Sequence, residues 1–134
     1  MGARRGLDRD GGVRLDRGTV VLLDLDPTRG HEQRGQRPCV VVSDPDVASD
    51  QHFPLLCVVP VTGTAGEGAL YPALSPGSSG LTKTSYALVD HLRSVDKRRV
   101  KRVYGRVVEP EMNAIDDGLA LFLGLGDRLA PSHV

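Results

Sequence analysis

Leu55-Leu-Cys-Val-Val-Pro-Val-Thr62 is the stretch of this sequence that decides the fold. The run is apolar almost from end to end, with no alternation of polar and apolar residues, so a strand formed here needs cover on both faces. It closes on a hydroxyl side chain, Thr62, directly before Gly63. The sequence therefore predicts a core strand with a polar residue at its exit.

Further short strands are predicted on both sides of this core strand, separated by turn-rich segments. The first begins near Arg17 or Gly18, and the others cover residues 38–43, 69–74 (a short edge strand), 85–90 and 101–108. Residues 44–52 are expected to form an acidic loop, and residues 93–99 suit a helical turn.

One convincing helix comes last, at residues 109–123. Pro110 suits the first helical position, and Glu109 and Glu111 complement the positive end of the helix dipole. Five apolar residues at helical spacing are expected to pack on the core, namely Met112, Ile115, Leu119, Phe122 and Leu123. Several short strands followed by one amphipathic helix predict a mainly β fold, a small and strongly bent barrel capped by the helix.

Length and composition set bounds on function. A chain of 134 residues fits one domain, and we expect a mobile arm at residues 1–15, the domain at 16–125 and a tail at 126–134. Lys and Arg balance Asp and Glu at 17 each, so net charge says nothing about partners. No apolar run is long enough to cross a bilayer, and no signal peptide is present, so a cytoplasmic protein is expected.

The cysteines and histidines do not indicate a metal or cofactor. Cys39 and Cys57 lie inside apolar runs and are expected to be buried small hydrophobes in a reducing compartment. Together with the four histidines they show no metal-ligand spacing.

A polar loop joins the first two strands and reads Pro27-Thr-Arg-Gly-His-Glu-Gln-Arg-Gly-Gln-Arg-Pro38. Loops held between rigid strands often carry binding groups. Arg37 precedes Pro38, which favours an extended backbone, so its guanidinium lies at the mouth of the second strand. Antiparallel pairing would bring Arg37 to the same end of the barrel as Thr62. A permanent cation beside a hydroxyl donor can hold an anion such as a phosphate.

A second group of cations follows the predicted turn at residues 93–99. It comprises Lys97, Arg98, Arg99, Lys101, Arg102 and Arg106. Such a run is usually a solvated face, but together with Arg29, Arg34 and Arg37 it can follow a nucleic-acid backbone.

On these residues the chain resembles the MazF/PemK-type toxins, the endoribonuclease half of bacterial toxin–antitoxin pairs. The matching stretches are Arg17-Gly-Thr-Val-Val-Leu-Leu-Asp-Leu-Asp-Pro27, Gly30-His-Glu-Gln-Arg-Gly-Gln-Arg-Pro38 and Val58-Val-Pro-Val-Thr62, with residues 85–99 and 109–123. The resemblance covers about residues 16–125 and implies an SH3-like barrel, a symmetric homodimer and a MazE-like antitoxin partner. It also implies metal-independent cleavage of single-stranded RNA, leaving a 2′,3′-cyclic phosphate and a 5′-hydroxyl.

Carried over by position, the family's catalytic arginine falls on Arg37 and its catalytic threonine on Thr62. The RNA-binding positions that the resemblance implies are Glu32, Gln33, Arg34, Asp90 and His91. His91 stands where relatives often carry Gln, and His31 has no fixed counterpart. Both can alter which bases are recognised, so no cleavage sequence is transferred.

The chemistry is physically consistent with these residue types. RNA supplies its own nucleophile, the 2′-hydroxyl, so the protein has to align the backbone and stabilise negative charge in the transition state. Arg37 can neutralise phosphoryl oxygens and Thr62 can donate a further hydrogen bond. The general base stays open among Glu32, Asp90 and His91.

Two other functions remain open from the sequence alone. One is a toxin of the same fold that binds DNA gyrase and does not cut RNA, since fold does not decide function. The absence of Trp and the presence of Arg37 with Thr62 argue against it. The other is an SH3-like adaptor for proline-rich peptides, which an aromatic content of 4% makes difficult to assemble.

Overall fold

The computed structural model of the protein describes residues 15–25 and 35–126. Most of the expected arm and tail, and residues 26–34 of the polar loop, lie outside these ranges. Leu15, the last residue assigned to the arm, is only 2% exposed and belongs to the core. The packed part of the chain therefore begins no later than residue 15.

The described residues form strands, two α-helices and short 3₁₀ turns. The strands are β1 (Thr19–Asp24), β2 (Gln36–Val41), β3 (Leu55–Thr62), β4 (Ala73–Leu74), β5 (Ser85–Ala87), β6 (Arg93–Asp96) and β7 (Val100–Arg106). The α-helices are α1 (Pro45–Ser49) and α2 (Glu109–Leu123), and 3₁₀ turns cover Val89–His91 and Lys97–Arg99.

The sheet curls around β3, which is covered on both faces as its apolar run predicted. Its order is β4-β5-β3-β2-β1-β7 with every neighbouring pair antiparallel, and β6 pairs with the first half of β3. Because β3 pairs with β6 along its first half and with β5 at its end, the sheet bends sharply there. Val58 and Val59 point to opposite faces of β3, and both are fully buried.

A loop closes the open side of this curled sheet. The backbone N–H of Arg106 in β7 donates to the carbonyl of Ser78 at 2.9 Å, and the Ser78 hydroxyl donates to the Arg106 carbonyl at 3.3 Å. Gly105 lets the loop lie this close, because a Cβ there would collide with the Ser78 carbonyl oxygen. The predicted barrel is thus a half-barrel sheet completed by a loop.

Helix α2 covers one face of the sheet through its first and middle turns. Ile115 is fully buried, and Met112 and Leu119 pack partly against the same core. Phe122 and Leu123 are 45% and 50% exposed, so the prediction that they pack into the core of the chain is wrong. They lie in the last turn, immediately before Gly124 ends the helix with a φ of +73°.

Two other local predictions are also wrong. The acidic loop contains α1, because the Asp44 carboxylate caps the helix by accepting from the Asp46 N–H and Pro45 occupies the first turn. The segment expected to be a helical turn begins as a strand, since β6 pairs in register with Leu55–Val58 of β3 and buries Val95. Among the described helices, none is both long and apolar enough to cross a membrane.

Candidate active site

Arg37 and Thr62 meet at one end of the barrel. The β2–β3 ladder pairs Cys39 with Pro60 and Val40 with Val59, and the same register continued by two residues places Arg37 opposite Thr62. Both side chains line one cavity of about 780 Å³. The structure therefore brings together the two residues that the sequence singled out.

The cavity is strongly cationic. Three cationic residues line it, Arg37 from β2, Lys83 from the loop before β5 and Arg102 from β7, and no acidic residue is among the described residues that line it. Its hydroxyl groups include those of Thr62 and Tyr104. A cavity with several permanent cations, hydroxyl donors and no carboxylate favours a polyanionic ligand.

The guanidinium of Arg37 has an unused donor. Its Nε is buried and has no hydrogen-bond partner among the described residues. A buried donor without a partner costs free energy, and an anionic ligand is the partner that suits a guanidinium best. Pro38 follows directly and favours an extended backbone at Arg37, in keeping with its place in β2.

Thr62 bonds to nearby backbone and still keeps a donor. Its Oγ1 accepts from the backbone N–H of Thr64 at 3.2 Å, which shapes the turn at the end of β3. This bond uses the oxygen as an acceptor, so the hydroxyl proton can be donated to a ligand in the cavity.

Asp90 and His91 form a separate cluster on the 3₁₀ turn after β5. The Tyr71 hydroxyl donates to Asp90 Oδ2 at 2.6 Å, and this hydrogen bond raises the pKa of Tyr71 above its ordinary value. Asp90 Oδ1 is buried without a hydrogen-bond partner among the described residues, and His91 Nε2 lies 3.7 Å from it. Neither Asp90 nor His91 lines the cavity of Arg37 and Thr62.

The remaining implied RNA-binding residues, Glu32, Gln33 and Arg34, lie outside the described residues, as do Arg29 and His31. They belong to the segment that joins β1 to β2, which re-enters the described chain at Gly35, two residues before Arg37.

Much of the basic group at residues 97–106 is engaged within the fold. The Lys97 ammonium donates to the carbonyls of Val47 and Asp50 at 2.7 and 2.9 Å. Arg98 bonds to the carboxylate of Asp96 and Arg99 bonds to the Asp24 carbonyl. Arg106 bonds to the Arg17 carbonyl. Of the six cations in this group, Arg102 is the one that lines the cavity. The group therefore does not form one continuous surface of cations without intramolecular hydrogen bonds.

Sequence reasoning missed Lys83. It lies in a loop with no motif of its own, and its position depends on how that loop crosses the mouth of the barrel. The β3–β5 pairing of Thr62 with Tyr86 is the feature that brings it there, because it leaves residues 82–85 beside the end of β3.

Cys39 lies two residues from Arg37, but its thiol is buried. Burial raises the pKa of its thiol to about 12, a shift that the neighbouring Arg93 and Arg37 only partly oppose. The thiol is thus protonated near neutral pH. Both cysteines are free; Cys39 is buried as expected, whereas Cys57 is only partly buried, so the prediction that both are buried is wrong for Cys57. Within the described residues, no three His, Cys, Asp or Glu side chains form a group that could hold a metal ion.

Comparison with known proteins identifies the family of the chain. Residues 16–123 match the model of the PemK-like, MazF-like toxins of type II toxin–antitoxin systems. The chain belongs to this family. Among curated proteins, the endoribonuclease MazF9 of Mycobacterium tuberculosis is 36% identical over 117 residues, which cover 83% of this chain and 98% of that relative.

Solved structures of MazF proteins share the fold. MazF from Deinococcus radiodurans superposes with a TM-score of 0.68 at 31% identity, covering 81% of this chain and 96% of that one. An endoribonuclease in complex with its cognate antitoxin, from a mycobacterial species, gives a TM-score of 0.67 at 28% identity, with coverage of 82% and 95%. The mainly β fold with a C-terminal helix and the resemblance to MazF/PemK toxins are both confirmed.

Proposed function

We propose that this MazF-family chain is a toxin that cleaves single-stranded RNA at specific sequences, without a metal ion, in the cavity between Arg37 and Thr62. One observation carries the proposal: Arg37, whose guanidinium has an unused buried donor, and Thr62 line the same cavity, which holds three cations and no described acid. This arrangement suits a phosphodiester.

The proposed reaction is an internal transfer within the RNA. The 2′-oxygen attacks the adjacent phosphorus as its proton leaves to a base, and the bond from phosphorus to the 5′-oxygen breaks as that oxygen gains a proton. The products are a 2′,3′-cyclic phosphate and a 5′-hydroxyl. Arg37 offers a planar pair of donors to the phosphoryl oxygens, and Thr62 adds a neutral donor, so both stabilise charge that grows in the transition state.

The described residues that line the cavity include no acid and no histidine, so we propose the base and the nucleotide-recognising groups from other parts of the chain. Glu32, Asp90 and His91 remain the candidates for the base, and with Gln33 and Arg34 they form the proposed RNA-binding set. Asp90 Oδ1 supports its inclusion, because this buried acceptor has no described partner and could accept from the donor edge of a base. His91 stands beside it and is half-exposed.

The proposed partners are a second copy of the chain in a symmetric homodimer and a MazE-like antitoxin. Relatives support the second partner, since a mycobacterial endoribonuclease and the Deinococcus MazF have been solved with their antitoxins. RNA is a substrate of the cell interior, so a cytoplasmic location is part of the same proposal.

The endoribonuclease function is favoured over gyrase inhibition. The curated relative at 36% identity is named an endoribonuclease, and this chain carries Arg37 and Thr62 together in one cationic cavity. Inhibition of gyrase by surface contact needs no such cavity.

The test is to incubate the purified protein in EDTA with a long unstructured RNA and to map both ends of every product. We expect cuts at a short common sequence, with a cyclic phosphate on one side and a 5′-hydroxyl on the other. His91→Gln separates the two roles proposed for this residue: a changed cleavage sequence with continued cleavage identifies it as a recognition residue, and loss of cleavage at every sequence identifies it as the base. An RNA left intact, together with inhibition of gyrase supercoiling, would establish the alternative.

A further inference from the structure

Lys83 lies directly against the end of β3. Its Cε and Nζ are 2.8 and 3.0 Å from the point that a Cβ would occupy on Gly63. Gly63 directly follows Thr62, so the ammonium lies beside the residue next to the threonine. Lys83 and Thr62 also line the same cavity as Arg37.

Space explains the glycine at position 63. The backbone of Gly63 is not in the left-handed region that favours glycine, so its conformation does not require the residue. Any side chain there would instead occupy the volume that the Lys83 ammonium fills. The missing Cβ therefore leaves room for the end of the Lys83 side chain beside Gly63.

A buried hydroxyl holds the backbone of Lys83. Ser85 is 6% exposed, and its Oγ donates to the Lys83 carbonyl at 3.0 Å. The side chain of Lys83 itself is exposed at the cavity wall. The loop is anchored while the ammonium stays accessible to a ligand.

The cationic side chains of the cavity have no anionic side chain beside them among the described lining residues. Arg37, Lys83 and Arg102 line one cavity without a described carboxylate among them, and like charges drawn together in this way repel each other. A bound polyanion would relieve that repulsion. An ammonium acts as a compact point charge, which suits a phosphate that is held in place and does not itself react.

We infer that Lys83 binds a second phosphate of the RNA strand, next to the phosphate held by Arg37 and Thr62, and that Gly63 provides the space for it. This inference rests on the proposed function and deepens it. It makes Lys83 a substrate-binding residue, whereas Arg37 and Thr62 act on the reacting phosphate.

Salt dependence tests the inference, with a fluorescent, mixed-sequence single-stranded DNA of about nine nucleotides as the probe. DNA has no 2′-hydroxyl and therefore stays intact. Each lost phosphate contact lowers the slope of log Kd against log salt by about 0.7 for a single strand. We expect Lys83→Gln to lose about that much slope and Lys83→Arg to keep it.

Two further variants distinguish a contact from a general effect. Gly63→Ala retains the lysine but shifts the end of its side chain, so it should lose part of this slope, less than Lys83→Gln loses, if its melting temperature shows that it folds. Arg98→Gln is the matched control, because Arg98 is an exposed cation paired with Asp96 and does not line the cavity. It should leave the slope unchanged.

Kinetics on RNA give a second readout. Lys83→Gln should raise KM for the mapped cleavage site several-fold with a smaller effect on kcat, whereas loss of Arg37 should lower kcat. An unchanged slope and an unchanged KM in Lys83→Gln would overturn the inference even if the protein cleaves RNA as proposed. Absence of RNA cleavage by the wild-type protein would overturn the proposed function itself.

Discussion

Arg37 near the start of β2 and Thr62 at the end of β3 line the same cavity, and the β2–β3 register, continued by two residues beyond Cys39 and Pro60, places them opposite each other. Strands β2 and β3, which carry this pair, are well buried: Val40, Val58 and Val59 are fully buried. The backbone positions that carry a permanent charge and a hydroxyl donor are thus set by the packed core before any ligand arrives. Such preorganisation is the main way in which a protein stabilises charge in a transition state.

Replacement of either member of this pair should abolish most of the activity. Arg37→Ala and Thr62→Val should each lower the rate of RNA cleavage by roughly 10²–10³, the usual effect of losing one transition-state donor. Arg37→Lys should also be poor, because a point charge does not replace the planar fork. Initial rates on the mapped cleavage site measure this.

The control for these variants is Arg98→Ala, which removes an exposed arginine from outside the cavity. Melting temperatures should show that all four proteins fold. Near-normal cleavage by both Arg37→Ala and Thr62→Val would contradict the assignment.

The pairing of these residues was predictable because strands have a strict geometry. Two apolar runs that pair as antiparallel neighbours bring the start of one to the end of the other, and the observed register does so. Helix α2 was predictable over its whole length, since Pro110, the early acidic residues and the apolar spacing agree.

Other parts of the fold and of the site could not be predicted, because they depend on contacts between residues that are distant in sequence. Lys83 reaches the cavity because a loop crosses the barrel mouth, and no local pattern encodes that path. Residues 93–96 look like a turn by composition, but pairing with β3 makes them a strand. Phe122 and Leu123 continue the apolar spacing of α2 beyond the surface that this chain can cover.

Closure of the barrel should depend on Gly105. Gly105→Ala would force a methyl group against the Ser78 carbonyl and break the contact between β7 and the closing loop. We expect a loss of about 1–3 kcal/mol in the free energy of unfolding, typical of overpacking. Thermal unfolding measures it, with Gly126→Ala as the control because no atom lies within 4 Å of its added Cβ. Equal melting temperatures for the two variants would show that the loop does not close the fold.

The antitoxin should compete with RNA. A cavity lined by Arg37, Lys83 and Arg102 suits an acidic peptide as well as a nucleic acid. The expected partner is a small protein from a neighbouring gene, with a DNA-binding N-terminal half and a flexible acidic tail that folds on binding.

Competition can be measured with a non-cleavable RNA. Saturating antitoxin tail should displace it, and binding of the tail should weaken with salt less steeply than RNA binding if apolar anchors contribute. Binding of both ligands together at full affinity would place the inhibitor elsewhere on the molecule.

The central claim is that the substrate supplies the nucleophile to the site of Arg37 and Thr62. The most direct measurement compares two oligonucleotides with the mapped cleavage sequence, one all RNA and the other with a single 2′-deoxy nucleotide on the 5′ side of the cut. We expect the first to be cleaved in EDTA by the wild-type protein and the second to stay intact. Cleavage of the 2′-deoxy oligonucleotide, or activity that EDTA removes and a divalent ion restores, would contradict the account.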